Sequence, residues 1–420
     1  MSFKPNSWDL VHYIVGGLKN MKEIKGKYGN AKVFTDLVEP KAIEQITTLL
    51  DQEFSKDSKI RIMPDVHAGA GCTIGTTMTL EDKVCPNLVG VDIGCGIHLQ
   101  RYAKKTQIDF DELDKVIRDK IPSGFNIRDE EHIFTKYVPF EKLKCVKNVN
   151  IDRAKLSLGT LGGGNHFIEI DKDDEGNLYL MVHSGSRHFG YEIAEYYQNL
   201  AVDQLCGRDK EAVKKLIIEL KEQGRHKEIS AELKRLKENT IEIPRELAYV
   251  SGQLFKDYLH DMEIATTYAY FNRIAIIETI RRSMGLRVEE AILSVHNYID
   301  LTDMTLRKGA ISAREGQKCV IPINMRDGAL ICTGKGNDDW NKSAPHGAGR
   351  LMSRSEARLR YSVNEFSESM DGIYTTSVSE ETLDECPMAY KPIESIIDNI
   401  GDTVRIDKII KPVYNFKAGK

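Results

Sequence analysis

The sequence lacks any apolar run that approaches the roughly 20 residues needed to cross a bilayer. Residues 1–30 also lack the order of a secretory signal peptide, in which positive charge precedes an apolar stretch. These absences exclude the usual patterns of membrane and secreted proteins. We therefore expect a cytoplasmic protein that has no membrane partner.

Cysteine is sparse, and no two cysteines form a C-x-x-C pair. Eight cysteines at irregular spacing in 420 residues indicate reduced thiols and metal ligation rather than a disulfide framework. Only Cys95 stands in a turn that has a functional character. The others are expected to be small buried apolar side chains, namely Cys72, Cys85, Cys145, Cys206, Cys319, Cys332 and Cys386.

The chain also lacks an excess of positive charge and a flexible linker. A net charge of −4 argues against a basic coat for nucleic acid, although it is compatible with a local basic channel. No stretch is rich enough in proline, serine or glycine to act as a tether, and candidate site residues run from position 92 to 346. We therefore predict one large domain over residues 1–420.

The pattern of apolar residues predicts an α+β fold of mixed sheets with peripheral helices. Helical spacing covers residues 42–54 and 247–282, whereas β-branched runs broken by glycine at 73–77 and 88–91 predict buried strands. Residues 192–239 are rich in charge and have helical spacing up to about Gly224 and again over 227–238. We interpret this segment as a helical insertion.

Several glycine- or asparagine-rich turns carry a side chain suited to chemistry. A lone histidine in such a turn is more often a hydrogen-bonding residue, but turns of one style along one chain indicate a common site. The turns cover residues 89–96, 161–169, 181–187, 294–298 and 343–350.

Five of these side chains form the predicted metal ligands, namely Asp92, Cys95, His166, His183 and His296. One thiolate, one carboxylate and three imidazoles suit a divalent transition metal such as Mn, Zn, Co or Ni, and suit Mg poorly. Five ligands are too many for one tetrahedral ion, but they suffice for two ions if Cys95 or Asp92 bridges them. Paired metals often assist displacement at phosphorus.

His346 stands in the turn S-A-P-H-G-A-G-R, where small neighbours would let a large anionic ligand come close. Imidazole can attack phosphorus to form a phosphoramidate, which is a labile covalent intermediate. The phosphate-binding loop G-x-x-x-x-G-K-[ST] is absent. For Arg187 and Arg350, which lie inside such turns, we favour phosphate contact over a role in surface solubility.

The turns V-G-V-D-I-G-C-G, G-G-G-N-H-F-I-E, H-S-G-S-R, H-N-Y and S-A-P-H-G-A-G-R, in this order and with M-P-D-V-H at 63–67, resemble the RtcB family of GTP-dependent RNA ligases. The resemblance runs from about residue 63 to the C-terminus and is weakest over 192–239. It implies an RtcB-like fold and a manganese-dependent enzyme of tRNA splicing or RNA repair. Such an enzyme joins RNA 3′-phosphate or 2′,3′-cyclic phosphate ends to 5′-hydroxyl ends through a histidine–GMP adduct and a 3′-guanylylated RNA.

The resemblance also implies roles for individual residues. His346 matches the guanylylated nucleophile, and the five predicted ligands match residues that hold two manganese ions, with Cys95 as the bridge. Arginines implied to hold RNA phosphates are Arg187, Arg350 and Arg354. Implied GTP contacts are Asn165, His166, Phe167, Ile168, Glu169, His296, Asn297, Pro322, Ile323, Asn324, Met325, Ala329, His346, Gly347, Ala348, Gly349 and Lys417, with Lys420 as the alternative to Lys417.

The chain departs from the family pattern in two places. After H-S-G-S-R the family usually has glycine, whereas here His188 and Phe189 follow, so we expect a bulkier pair beside the RNA path. In I-P-I-N-M-R-D-G-A-L, Ile323 and Asn324 replace the usual Gly-Ser pair, and Ala329 replaces a usual serine. These changes predict an altered nucleotide affinity or RNA preference.

Two other functions compete with the ligase. A metal-dependent phosphohydrolase could open cyclic phosphates with two metals, but it would not need His346. A non-catalytic paralogue that binds RNA ends would not need five intact metal ligands. The sequence leaves the natural RNA and any activating protein partner open.

Overall fold

The computed structural model describes residues 22–103, 106–205, 210–238 and 243–419. Its strands are β1 (Lys22–Lys25), β2 (Asn30–Val33), β3 (Ile60–His67), β4 (Ile74–Thr79), β5 (Lys83–Val84), β6 (Gly96–Tyr102), β7 (Phe167–Lys172), β8 (Leu178–Ser184), β9 (Val250–Ser251), β10 (Val288–Val295), β11 (Asn297–Asp300), β12 (Thr305–Lys308), β13 (Ala310–Ser312), β14 (Lys318–Asn324), β15 (Gly328–Gly334), β16 (Ser343–Pro345), β17 (Tyr374–Thr375) and β18 (Val404–Lys417). Its α-helices are α1 (Pro40–Leu50), α2 (Pro86–Val89), α3 (Phe110–Lys120), α4 (Ile151–Ser157), α5 (Arg187–Leu205), α6 (Lys210–Glu222), α7 (Ile229–Glu238), α8 (Gly252–Ser283), α9 (Arg354–Arg360), α10 (Val363–Ser369) and α11 (Ile393–Ile400).

The larger sheet curls into a barrel-like layer with the strand order β10-β6-β8-β7-β18-β15-β14, and β17 pairs with β18. Its two edge strands, β10 and β14, lie close to each other. The amide of Val320 on β14 donates to Ser294 Oγ on β10 at 2.9 Å. The interior is closed by apolar side chains, namely Ile97, Leu99, Tyr179, Met181, Ile292, Val320, Ala329, Ile331 and Ile410. We call the end where β8, β10, β14 and β18 finish the site end, and the opposite one the far end.

The smaller sheet has the order β1-β2-β3-β4-β12-β11 and lies beside the site end. Helix α1 covers it with an apolar face, since Ala42, Ile46 and Leu49 are fully buried. The spacing of these residues follows the 3.6-residue period of a helix, so one face packs and the other meets water. Strand β3 thereby brings Asp65 toward the site end.

The long helix α8 fixes two turns of the site from behind. Arg273 is fully buried, and its Nη1 donates to the carbonyls of Gly94 at 2.7 Å and Ser184 at 2.8 Å. Asn272 Nδ2 donates to the carbonyl of Gly185 at 3.1 Å. Buried polar groups are costly unless they are hydrogen-bonded, so these bonds lock the helix to the turns before β6 and after β8.

The expected α+β class is confirmed, and so are most of the expected elements. The helix expected over 42–54 is α1, the one expected over 247–282 is α8, and residues 73–77 largely coincide with β4. The strand expected over 88–91 is wrong. Residues 86–89 form α2 because Pro86 occupies its first turn, and Gly90 ends it with a φ of 101°. None of the described helices has the length and apolar character of a membrane span.

The helical segment predicted over 192–239 is divided differently in the structure. Its first part belongs to α5, which begins earlier and buries Ile193, Tyr197 and Ala201. Tyr197 packs edge-on against Tyr258 of α8, with ring centroids 5.3 Å apart. Helices α6 and α7 then follow on either side of Gly224, as expected. An insertion with its boundary at 192 inside a single domain over 1–420 stays a prediction.

Candidate active site

A cavity of about 880 Å³ opens at the site end of the barrel. Strand ends and glycine turns from both sheets form its wall, which is the usual place for a ligand site on a rigid scaffold. The predicted ligands and nucleophile that line it are Asp92, Cys95, His183, His296 and His346. His166 lies just beneath this wall and is 4% exposed.

The predicted metal ligands converge at the base of this cavity. Cys95 Sγ lies 3.4 Å from His166 Nε2 and 3.3 Å from His183 Nε2. The ligand atoms of these three residues all lie within 4.8 Å of one another. His296 Nε2 is 3.3 Å from His183 Nε2, and Asp92 Oδ2 is 3.0 Å from His166 Nε2. We call these five residues the donor cluster.

The second ring nitrogen of two histidines is bound by backbone. His183 Nδ1 lies 3.0 Å from the carbonyl of Asn165, and His166 Nδ1 lies 2.9 Å from that of Leu161. A carbonyl only accepts, so each Nδ1 carries a proton. The Nε2 of His183 faces Cys95, and the Nε2 of His166 faces both Cys95 and Asp92. Burial and neighbouring histidines lower the pKa of His183 and His296 well below the usual range. Neutral imidazoles held in this way are typical metal ligands.

Asp92 supplies the negative charge of the donor cluster. Burial alone would raise its pKa, but the hydrogen bond with His166 and the charge of Arg187 hold the pKa at about 2. The amide of Ser186 donates to its other oxygen at 3.0 Å. A Cβ at Gly185 would lie 2.2 Å from the same oxygen, so the turn requires glycine there. Asp92 is therefore ionised at neutral pH and rigidly placed.

Burial and the charge of Asp92 raise the pKa of the Cys95 thiol well above its usual value. A coordinating thiol is deprotonated by its metal ion, so a bound divalent cation would reverse this effect. Sulfur, nitrogen and carboxylate donors at these distances fit a divalent transition metal. The donor cluster therefore fits the class of metal ion that the sequence predicts.

His346 lies beside the donor cluster, with its ring centroid 4.7 Å from that of His296. Its Nδ1 is 2.6 Å from Asp65 Oδ2, and its backbone amide donates to the same oxygen at 3.0 Å. Asp65 is fully buried, so this carboxylate fixes the ring. With the proton on Nδ1, Nε2 keeps the lone pair that a nucleophile needs.

Asp65 was not assigned a role from the sequence, although it stands within M-P-D-V-H. It meets His346 because the chain after β16 passes very close to β3. Gly349 allows this approach, since a Cβ there would lie 2.0 Å from the carbonyl oxygen of Asp65 and its φ is 75°. Only glycine adopts this conformation readily without a clash.

Glu385 also carries no sequence motif, yet it gathers three predicted site residues. Lys417 Nζ lies 2.7 Å from its Oε2, and Arg350 Nη1 and Arg354 Nη2 lie 3.3 and 3.4 Å from its Oε1. Burial opposes ionisation, but these three charges lower the pKa of Glu385 to about 2. One carboxylate therefore faces three cations at the cavity wall. The alternative guanine contact, Lys420, lies outside the described residues.

Arg187 lies beside His166 of the donor cluster and adopts a φ of 58°, which is unusual for a non-glycine residue. Its Nη2 donates to the carbonyl of Gly124 at 3.3 Å, and its Nη1 is 3.3 Å from His166 Nδ1. A Cβ at Gly162 would lie 1.9 Å from Nη1. The guanidinium is thus held flat against the loop that carries His166.

Most of the predicted nucleotide contacts face the cavity. Ile168 and Ala329 are fully buried instead, and Ala329 points into the barrel interior, away from the wall. Asn324 Oδ1 accepts hydrogen bonds from the amides of Arg326 and Asp327, both at 2.9 Å, so it shapes its own turn. The predicted contacts that line the cavity are Asn165, Phe167, Glu169, His296, Asn297, Pro322, Ile323, Asn324, Met325, His346, Gly347, Ala348, Gly349 and Lys417.

The pair expected to border the RNA path separates in the structure. Phe189 is 1% exposed and packs with Phe140 and Tyr268, at centroid distances of 5.4 and 4.9 Å. Only His188 reaches solvent, 3.6 Å from Glu192. The expectation was wrong for Phe189, because successive side chains of helix α5 point about 100° apart, which directs Phe189 into the core and leaves His188 in water.

Comparison with known proteins agrees with this arrangement. The family model described as tRNA-splicing ligase RtcB matches residues 52–138 and 130–418. The RNA-splicing ligase RtcB of Escherichia coli (strain K12) is 32% identical over 404 residues, covering 86% of this chain and 90% of that protein. The tRNA-splicing ligase RtcB of Nanoarchaeum equitans (strain Kin4-M) is 25% identical over 452 residues, covering 85% and 87%. Because these matches span most of this chain and most of each relative, the chain belongs to the RtcB family.

Proposed function

We propose that this protein is a GTP-dependent RNA ligase that joins a 3′-phosphate or 2′,3′-cyclic phosphate end to a 5′-hydroxyl end, in tRNA splicing or RNA repair. The observation that carries the proposal is the His346–Asp65 pair beside the donor cluster, with Nδ1 of the imidazole 2.6 Å from the carboxylate. The names of the relatives, RNA-splicing and tRNA-splicing ligases, support an RNA substrate and a joining reaction. A cytoplasmic location stays a prediction.

Asp92, Cys95, His166, His183 and His296 would hold two manganese ions, with Cys95 between them. When bound, the ions would neutralise phosphate charge and polarise the reacting phosphorus. The residues of this chain would supply the nucleophile, its orientation and the cationic wall around the phosphates. Positioning and charge neutralisation provide most of the catalysis in phosphoryl transfer.

In the first step, His346 Nε2 attacks the α-phosphorus of GTP. The new bond joins nitrogen to phosphorus, and the bond to the bridging oxygen breaks, so pyrophosphate leaves with that electron pair. Asp65 accepts the Nδ1–H hydrogen bond and stabilises the positive charge that grows on the imidazole. The product is a His346–GMP phosphoramidate.

In the second step, an oxygen of the RNA 3′-phosphate attacks the phosphorus of this adduct. The nitrogen–phosphorus bond breaks, and its electron pair returns to His346 Nε2. The 5′-hydroxyl oxygen then attacks the activated RNA phosphorus and forms the new phosphodiester. The bond to the GMP oxygen breaks, and the departing GMP phosphate takes up the hydroxyl proton. A 2′,3′-cyclic end must first be opened by water to give the 3′-phosphate. We propose that Arg187, Arg350 and Arg354 hold the RNA phosphates during these steps.

A metal-dependent phosphohydrolase and a non-catalytic RNA-end-binding protein remain the alternatives. A covalent nucleophile needs a histidine whose Nδ1 is fixed by a buried carboxylate and whose Nε2 is free, whereas metal-activated hydrolysis and RNA-end binding can proceed without one. The His346–Asp65 geometry therefore favours the ligase over both.

The decisive experiment is incubation of the protein with manganese and GTP labelled at the α-phosphate, followed by a denaturing gel. The protein should keep covalent label that acid removes and alkali does not. His346→Ala should abolish the label, whereas the matched change His188→Ala, at an exposed histidine outside the cavity, should retain it. Labelling of the His346→Ala protein would overturn the proposed nucleophile.

A further inference from the structure

Phe125 is 85% exposed, which is unusual for a large aromatic side chain. It stands in the loop over residues 122–128, after helix α3. The residues on either side of it in the chain are Gly124 and Asn126, and the next apolar side chain, Ile127, is only partly exposed. A single exposed apolar side chain is common on protein surfaces. A function for Phe125 must therefore be argued from the groups around it.

The loop that carries Phe125 is fastened to the active site. The amide of Gly124 donates to the carbonyl of Gly162 at 3.0 Å, and Ser123 forms an isolated bridge with Gly162. The amide of Arg128 donates to the carbonyl of Leu156 at 2.9 Å. Gly162 lies four residues before His166 of the donor cluster. The backbone around Phe125 is therefore ordered before any ligand binds, which lowers the entropy cost of using it.

Two guanidinium groups hydrogen-bond to the backbone next to the Phe125 side chain, at the carbonyls of Gly124 and Phe125. Arg187 Nη2 donates to Gly124 O, and Arg153 Nη2 donates to Phe125 O, each at 3.3 Å. Within the described ranges, neither guanidinium forms an ion pair with a carboxylate. A third guanidinium lies beside the loop that carries Gly162, since a Cβ at Gly164 would lie 3.2 Å from Arg354 Nη2.

We propose that Phe125 is a stacking platform for a nucleobase of the RNA substrate, next to the end that is to be joined. This inference rests on the proposed RNA ligase function. Aromatic side chains beside arginines bind single strands because each base presents a stacking face and each nucleotide a phosphate. Stacking of this kind tolerates any sequence, which suits an enzyme that recognises the chemistry of RNA ends.

A protein partner would be the other candidate for this side chain. Protein interfaces place their aromatic anchors in a dry, apolar centre. Here the carbonyls of Gly124 and Phe125 hold two guanidinium groups that have no carboxylate partner among the described residues, which favours a charged ligand. The observations therefore favour RNA.

The first test is equilibrium binding of a short single-stranded RNA with a 3′-phosphate, measured without GTP. Phe125→Ala should weaken binding by roughly 5- to 150-fold, whereas Phe125→Trp should bind at least as tightly as the wild type. Phe125→Leu should resemble alanine, because it keeps apolar character but loses the aromatic face. The matched control is Ile218→Ala, which removes another exposed apolar side chain, on α6, and should leave binding unchanged.

The second test replaces single nucleotides near the RNA end by abasic residues. At one position the abasic change should weaken wild-type binding and cause no further loss in Phe125→Ala, because both changes remove the same contact. A 2-aminopurine base at that position should be quenched on binding to the wild type and not to Phe125→Ala. Equal losses from the abasic change in both proteins, at every position, would overturn the platform.

The outcomes separate this inference from the proposed function. If the wild type binds RNA with the base effect but His346 takes no label from GTP, the ligase proposal fails and the platform stands. If His346 is labelled and Phe125→Ala binds and seals RNA like the wild type, the platform is overturned and the ligase proposal stands.

Discussion

The two ends of the barrel-like sheet differ in how their charged and metal-ligating side chains are paired. At the far end, a cavity of about 450 Å³ has a carboxylate partner for each described cation of its wall. The pairs are Lys408–Asp173 at 2.9 Å, Arg101–Glu289 at 2.9 Å and Lys318–Asp407 at 2.7 Å. At the site end, thiol and imidazole lone pairs face one another instead, and three cations share Glu385.

The difference favours the site-end cavity as the ligand site. Charges that are already paired with each other do not attract a charged ligand. We therefore interpret the ion pairs of the far end as structural. Donor atoms packed within 4.8 Å of one another favour a cation between them, and the three cations around Glu385 leave positive charge that an anion can meet. Cavity size alone would not separate the two ends.

The largest effect is expected from removal of the proposed metal bridge. Cys95→Ala should lower bound manganese from two ions to one or none and abolish both labelling of His346 and RNA sealing, because Sγ is the donor closest to two histidines. Metal analysis of the purified protein measures this. Cys319→Ala, a buried thiol outside the cavity, should change neither metal content nor labelling. Two ions per chain in Cys95→Ala would contradict the bridge.

The next effect concerns the carboxylate that orients the nucleophile. Asp65→Asn should slow the labelling of His346 by about 100- to 10,000-fold, since a neutral amide no longer fixes the Nδ1–H tautomer or stabilises the imidazolium. Its metal content should stay at the wild-type level, which identifies Asp65 as a positioning residue. The far-end counterpart Asp173→Asn should label normally. An unchanged labelling rate in Asp65→Asn would refute the role.

Arg350 tests the cationic wall. We expect Arg350→Ala to slow sealing by roughly 30- to 1,000-fold and labelling far less, because the lost charge would act on RNA phosphate. The salt dependence of RNA binding should also become flatter. Arg101→Ala at the far end should change neither rate. Equal losses of labelling and sealing would place Arg350 on the nucleotide, and an unchanged sealing rate would leave it a structural role through its contacts with Glu385 and the carbonyl of Asp384.

The sequence was sufficient to predict which residues converge in the donor cluster and that His346 belongs to the same cavity. Their turns have a local signature, in which small residues and a break in an apolar run surround one reactive side chain. Cys95, His166 and His183 could be grouped by that signature although they come from three separate turns. Elements with a clear period, such as α8, were predicted for the same reason.

The sequence was not sufficient to identify residues whose role depends on distant contacts. Asp65 meets His346 across 281 positions, and Glu385 meets Arg350 across 35, with no pattern in either segment that specifies the pairing. Phe189 was misjudged because two neighbouring residues on a helix face different surroundings. Residues 88–91 were misjudged because a short apolar run does not distinguish a strand from a helical turn.

The smallest effect is expected at the far end, where the charge of Asp407 should contribute to stability but not to the reaction. Burial opposes ionisation of Asp407, but hydrogen bonds with Lys318, Thr333 and Arg405 lower its pKa from 3.8 to about 2. A carboxylate with a depressed pKa stabilises the fold above its unfolded value, and this contribution is lost as the pH falls from about 4 toward 2. Because the group is near the surface, Asp407→Asn should cost about 0.2–1 kcal/mol at pH 7, measured by urea unfolding. The difference from wild type should shrink steadily between pH 5 and pH 2, while labelling of His346 at pH 7 stays unchanged. A loss of labelling in this variant would mean that the far end also serves the reaction, and the contrast between the two ends would fail.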